Sequence, residues 1–185
     1  MASLPKSTRV TYEEWLRLPI VEDAIEEVVN GEIRIMPANK LTHALIVQKL
    51  FKPFAVQLDE SKYLVMITSF GLIIRKSPFT CRVPDLAVFE RSTIIEVDGY
   101  IHSAPQLAVE VLSPANTRRQ REEKLNDYAE IGVPEVWVFS PEARNVEILL
   151  LENGRLRRSS ILAEGLLKPV RFPNVQINIA EIWPD

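Results

Sequence analysis

The segment Arg82-Val83-Pro84-Asp85 leads into an apolar run, and Glu110 lies inside another, Leu107-Ala108-Val109-Glu110-Val111-Leu112. An ionised carboxylate in such a run is costly unless it is paired or bound to a metal. Two of them, each on a strand-like segment and joined by a modest connection, can meet at one edge of a sheet. Oxygen donors of this kind suit hard divalent cations, and such cations serve phosphodiester hydrolysis by acidifying a bound water and neutralising phosphate charge. Lys124 follows on the next helix, where a mobile point charge could orient the attacking water or stabilise charge on phosphoryl oxygens. Plainer readings stand beside these. Pro84-Asp85 can be a turn that opens a strand, Glu110 can pair with an arginine such as Arg118, and Lys124 can be the exposed member of a helical ion pair.

The elements that would position these groups are legible in outline. Thr11-Tyr12-Glu13-Glu14 is a capping-box signature and predicts a short helix through Trp15 and Leu18, stopped before Pro19. Ile25 to Met36 carries Asn30-Gly31 between two strand-like runs, a strong hairpin signal. From Lys40 to Leu58 the apolar positions Leu41, Ala44, Leu45, Leu50, Phe51, Phe54 and Leu58 recur with helical spacing, and Pro53 should kink or split that helix. Tyr63 to Thr68, Gly71 to Arg75 and Val83 to Phe89 read as strands, with an irregular segment from Glu90 to Ala104. Leu107 to Leu112 suits a central strand buried on both faces. Asn116 or Thr117 can cap a helix running to Ile131, where Gly132 provides the stop. Glu135 to Phe139 completes a strand–helix–strand unit with parallel pairing.

Strand alternation places Ala108, Glu110 and Leu112 on one face, and Leu107, Val109 and Val111 on the other. The following helix should turn Leu125, Tyr128, Ala129 and Gly132 towards the sheet. Lys124 borders that stripe, and its long stem could carry the ammonium over the strand end where Glu110 and Asp85 converge. A second Asn-Gly hairpin is expected around Asn153-Gly154, followed by a tail ending in Ile179 to Trp183.

The chain of 185 residues is 46% hydrophobic and 25% charged, which predicts one α/β domain over residues 1–185 with hairpins at its edges. A net charge of −3 argues against a strongly basic, non-specific nucleic-acid binder but not against local positive charge. Local clusters exist at Arg118, Arg119 and Arg121 with Lys124, and at Arg155, Arg157 and Arg158; each can equally be a solvated face. The single cysteine, Cys81, excludes an internal disulfide and reads as a buried thiol. No apolar run approaches the ~20 residues that span a bilayer, and Met1 to Lys6 lacks a secretory h-region, so no membrane partner and a cytoplasmic location are expected.

The ordered set of motifs resembles the Uma2 family of the PD-(D/E)XK nuclease superfamily. It runs from Glu27-Val28-Val29-Asn30-Gly31-Glu32 and Met36-Pro37 through His43 to Val83-Pro84-Asp85-Leu86-Ala87-Val88. It continues with Pro105 to Pro114, Glu123-Lys124-Leu125-Asn126-Asp127-Tyr128, Gly132-Val133-Pro134-Glu135-Val136-Trp137-Val138 and Pro141-Glu142-Ala143-Arg144. The resemblance implies a restriction-endonuclease-like fold, a mixed central sheet flanked by helices. It implies Asp85 and Glu110 as ligands of Mg²⁺ or Mn²⁺, with Glu27 as an additional acid. The superfamily's usual lysine, two residues after the second acid, is replaced here by Leu112, and the family resemblance transfers its role to Lys124. His43 matches a family histidine that could position water or phosphate, although a backbone contact at a helix start would explain it as well. Two departures are Asn30, where members often carry Asp, and Gln120, where many carry an acid.

The implied activity is metal-dependent cleavage of DNA by water, leaving 5′-phosphate and 3′-hydroxyl ends. Arg118, Arg119 and Arg121 would contact phosphates, which position a duplex without reading its sequence. A homodimer is expected by analogy. The alternatives are a catalytically inactive nucleic-acid- or protein-binding module on the same fold, and a hydrolase of another phosphorylated substrate.

Overall fold

A computed structural model describes residues 9–19, 24–36, 40–67, 70–114 and 117–184. The segment Met1 to Lys6, Pro37, the expected strand end Thr68 and the alternative cap Asn116 lie outside the described residues. Helix α1 (Tyr12–Trp15) opens with the complete capping box of Thr11 and Glu14. It ends at Trp15, short of Leu18, because i to i+3 bonds from Arg17 to Glu14 and from Leu18 to Trp15 tighten the chain ahead of Pro19. Strands β1 (Ile25–Val29) and β2 (Glu32–Met36) form the expected hairpin, with Asn30 and Gly31 both at positive φ, 53° and 82°.

Helix α2 (Leu41–Gln57) runs through Pro53 without being split. Leu50 and Phe54, both fully buried, anchor it on either side of the proline, so packing outweighs one missing backbone bond. Its buried stripe is His43, Ile46, Val47, Leu50 and Phe54, rotated from the expected one, and Leu41 is left 74% exposed.

Strands β3 (Tyr63–Ile67) and β4 (Leu72–Lys76) follow the expected bounds closely. The next expected strand, Val83 to Phe89, is instead two strands, β5 (Phe79–Arg82) and β6 (Leu86–Glu90), in different sheets. Pro84 has no N–H to give a ladder, and the chain crosses between sheets there. Asp85 therefore sits at the crossing, one residue before β6. The expected irregular segment holds a miniature hairpin, β7 (Glu96–Val97) and β8 (Tyr100–Ile101), turned by Asp98-Gly99.

Strand β9 (Leu107–Val111) is followed by α3 (Arg118–Ile131) and β10 (Glu135–Ser140), which pairs with β9 in parallel. Thr117 caps α3 in a capping box with Gln120, and Gly132 closes it in the left-handed region at φ 92°. Strands β11 (Asn145–Glu152) and β12 (Arg155–Leu162) form the second Asn-Gly hairpin. A short pair, β13 (Leu166–Leu167) and β14 (Ile177–Asn178), precedes the C-terminal tail.

The central sheet has the order β12-β11-β10-β9-β6-β3, and a second sheet the order β2-β1-β5-β4-β8-β7. The central sheet is mixed, with β9 and β10 parallel and its other neighbours antiparallel. One face, with Leu86, Val88, Leu107, Val109, Val111 and Trp137, packs against α2 and the tail residues Ile179 to Trp183. The other, with Ala87, Phe89, Ala108 and Val138, packs against Tyr128 of α3 and Leu72 and Ile74 of the second sheet. Among the described residues no helix is long and apolar enough to cross a membrane.

Candidate active site

The pairing of Leu86 with Val109 in the antiparallel β6–β9 ladder brings Asp85, one position earlier, beside Glu110. Asp85 is anchored there. Its Oδ2 accepts the Val111 N–H at 2.7 Å and lies 3.1 Å from His43 Nε2. His43 is thus a buried partner of Asp85 rather than a helix-start residue bonded to backbone.

Lys124 turns inward from α3. Its ammonium lies 2.8 Å from Glu110 Oε2, 3.0 Å from Glu27 Oε1 and 3.0 Å from the Val83 carbonyl. The other Glu110 oxygen accepts a short hydrogen bond from the Tyr128 hydroxyl. Glu27, on β1, also accepts the Val83 N–H at 3.0 Å and Arg82 Nη1 at 2.8 Å. Arg82 continues the chain of charge to Asp127, with Nε 2.7 Å from Oδ2. Asp85, Glu110, Lys124, Glu27 and His43 are thereby brought together at the end of the central sheet.

The arrangement sets the protonation of each group. Burial, reinforced by the charge of Asp85, pushes the Glu110 carboxyl up to about 7 against the pull of Lys124. Burial acts on Glu27 in the same direction, yet Lys124, Arg82 and the Val83 N–H outweigh it and hold that carboxyl at about 2. Burial would lower the Lys124 ammonium, but Glu110, Glu27 and Asp85 together raise it. Lys124 is accordingly a cation at neutral pH, while the Glu110 carboxyl is held well above its ordinary range.

A cleft of about 350 Å³ opens between β2 and α3, floored by Glu27, Arg82, Glu110, Lys124 and Tyr128, whereas the buried Asp85 and His43 are not among its lining residues. Its walls include Arg34 and Met36 of β2, and Gln120, Arg121 and Leu125 of α3. Of the three arginines expected to meet phosphates, only Arg121 lines it. Arg118 and Arg119 lie on the exposed side of α3, paired with Glu122 at 2.8 Å and Glu123 at 3.1 Å. Arg82, Asp127 and Tyr128 belong to the charge network although the sequence did not single out their polar groups. The signal for Tyr128 was its place one turn after Lys124 on the inward stripe, and for Arg82 its charge beside Val83-Pro84-Asp85.

The profile of the Uma2 family, described as "Putative restriction endonuclease", matches residues 12–180. The chain belongs to the Uma2 family. Among solved structures, it is similar to one described as "a putative nuclease belonging to DUF820" from Anabaena variabilis. That likeness has a TM-score of 0.77 at 20% identity, covering 94% of this chain and 97% of the other. No curated protein matches. The mixed sheet between α2 and α3 is the restriction-endonuclease-like fold, and Asp85, Glu110 and Lys124 of this Uma2 protein all fall within the matched span.

Among the described residues, no group of three or more His, Cys, Asp and Glu side chains is placed to hold a metal ion. Mg²⁺ does not require such a cage, since it is commonly bound through one or two carboxylates with water and substrate phosphate completing its shell. Asp85 and Glu110 are both hard oxygen donors, and the charge of Asp85 already acts on Glu110, a repulsion that a divalent cation would relieve. The donor set fits the ion.

Proposed function

We propose that this Uma2 protein is a metal-dependent DNA endonuclease with Asp85 and Glu110 as the ligands of Mg²⁺ or Mn²⁺. The observation that carries the reading is the approach of Asp85, just before β6, to Glu110 on the neighbouring β9, with the Lys124 ammonium 2.8 Å from Glu110. A bound cation would supply an acidified water and charge neutralisation at the phosphate.

The chain's own groups divide the remaining tasks. His43 and the Val111 N–H fix the Asp85 carboxylate, and Tyr128 holds the Glu110 oxygen that Lys124 does not. Lys124 remains protonated across the neutral range and donates to a phosphoryl oxygen or orients the attacking water. Glu27 and the Val83 carbonyl aim its ammonium, while Lys124 itself and Arg82 together keep Glu27 ionised. This supports a lysine contributed by a helix in place of the position held by Leu112.

The test is cleavage of plasmid and single-stranded DNA with Mg²⁺ or Mn²⁺, with EDTA, and by Asp85→Ala and Glu110→Gln, beside calorimetric titration with Mn²⁺. The expected outcome is metal-dependent cutting reduced by more than about 100-fold in both variants, with weakened Mn²⁺ binding. Full activity in either variant removes the site assignment. A folded parent that binds DNA and cuts none is instead the inactive module.

A further inference from the structure

The floor of the cleft is poorly disposed to admit a phosphate unaided, because Lys124 and Arg82 there are already engaged by Glu110 and Glu27, and Arg82 is shared with Asp127 as well. Compensating charge stands on the walls. Arg34 projects from β2 and Arg121 from α3, with 29% and 26% of their side chains exposed. Arg34 Nη1 reaches 3.0 Å from Glu123 Oε2 and so ties the β1–β2 hairpin to α3, while its Nη2 lies 3.5 Å from Glu32. Arg121 Nη2 lies 2.8 Å from Glu147 Oε2 on β11.

Neither carboxylate is dedicated to one partner. Glu123 also takes Arg119 at 3.1 Å, and Glu147 also faces Arg158 at 3.6 Å. Either acid can therefore release its cleft-lining guanidinium and keep a counter-charge. Arg121 Nε is buried and has no hydrogen-bond partner among the described residues, which leaves that guanidinium short of acceptors. Register decides which members of the second arginine cluster share this region. Arg158 pairs with Leu149, on the α3 side of the sheet, whereas Arg157 pairs with Leu150. Ile35, 59% exposed, and Met36 give the β2 wall apolar surface beside Arg34, suited to the sugar between two phosphates.

We propose that Arg34 and Arg121 form a two-sided clamp for DNA phosphates flanking the cleavage point, and that Arg34 exchanges Glu123 for phosphate when DNA binds. The identity of the occupant rests on the nuclease reading above. A guanidinium fork matches phosphate as well as carboxylate, and Arg34 gives Glu123 only one nitrogen, so the exchange replaces a single contact by a two-pronged one.

The experiment is fluorescence anisotropy with short fluorescein-labelled single- and double-stranded DNA in EDTA, across a salt series. The proteins are the full-length parent, Arg34→Gln, Arg34→Lys, Glu123→Gln and the Arg34→Gln/Glu123→Gln double variant. Arg34→Gln should bind about 5- to 10-fold more weakly, with a salt slope lower by about 1. Glu123→Gln should bind about 3- to 10-fold more tightly, and that gain should fall below about 2-fold once Arg34 is Gln. Persistence of the gain in the double variant assigns it to Arg119 and overturns the exchange. Unchanged binding by Arg34→Gln overturns the clamp. Should Arg34→Gln fail to fold, Arg34→Lys decides, since it keeps the charge and loses the fork: a weakening of about 3-fold or more supports the clamp, and parental affinity overturns it. Metal-dependent cutting with Arg34-independent binding leaves the nuclease reading intact while removing the clamp. Arg34-dependent binding without cutting does the reverse.

Discussion

Replacing Glu27 with Gln removes one charge from the centre of a buried network while keeping its shape. Glu27 is 3% exposed, and its two oxygens receive Lys124, the Val83 N–H and Arg82. Burial favours the protonated carboxyl, but those partners prevail and move it from 4.5 to about 2. At about 1.4 kcal/mol per tenfold change in a protonation equilibrium, the ionised form is worth about 3 kcal/mol to the fold at pH 7. That agrees with the ~3–5 kcal/mol measured when one member of a buried ion pair is removed. The sign follows from the lowered value: the stabilisation is complete above 4.5 and is lost as the pH falls through about 2. Glu27→Gln should therefore trail the parent by about 3 kcal/mol at pH 7 and by about 1 kcal/mol at pH 3 in urea unfolding followed by tryptophan fluorescence. Its melting temperature at pH 7 should fall by roughly 6–12 °C for a chain of this size. A gap under about 1 kcal/mol at pH 7, or one that does not narrow on acidification, would refute the reasoning.

Glu110 should behave in the opposite sense. Its carboxyl is raised to about 7, so its favourable contribution is present below 4.5 and is lost as the pH rises through about 7. In EDTA, Glu110→Gln should match the parent near pH 4 and exceed it by about 3 kcal/mol near pH 8, measured by urea titration. Thr117→Ala removes the hydroxyl that accepts the Gln120 N–H at the start of α3. It should lower stability by about 1 kcal/mol in the same assay, and an unchanged midpoint would count against a working cap.

What the sequence made legible was local. Asn30-Gly31 and Asn153-Gly154 specify their turns within the turn itself, because only a few residue types tolerate positive φ at successive positions. Thr117, Gln120 and Gly132 delimit α3 by bonds that close within a few residues. The β9–α3–β10 unit follows from one continuous apolar strand, one amphipathic helix and a second such strand. Lys124 could be placed over Glu110 for the same reason, since the two are only one strand end and two helical turns apart.

The remainder was decided by partners far along the chain. Pro84 announces a break, but a strand that stops and one that crosses to another sheet look alike until β1 is known to receive β5. Gln120, read as a missing acid, is the capping partner of Thr117, so an amide at this position retains the structural part of the task. The arginines show the limit most sharply. Arg118 and Arg119 form the most conspicuous basic pair in the sequence and are exposed and matched by acids one turn away. Arg34, isolated in the sequence and 89 residues from Glu123, is the one that reaches across the cleft. Clustering along a chain measures local charge density. Which guanidiniums line a concave surface is set instead by contacts between β2, α3 and β11, elements that lie far apart in the chain.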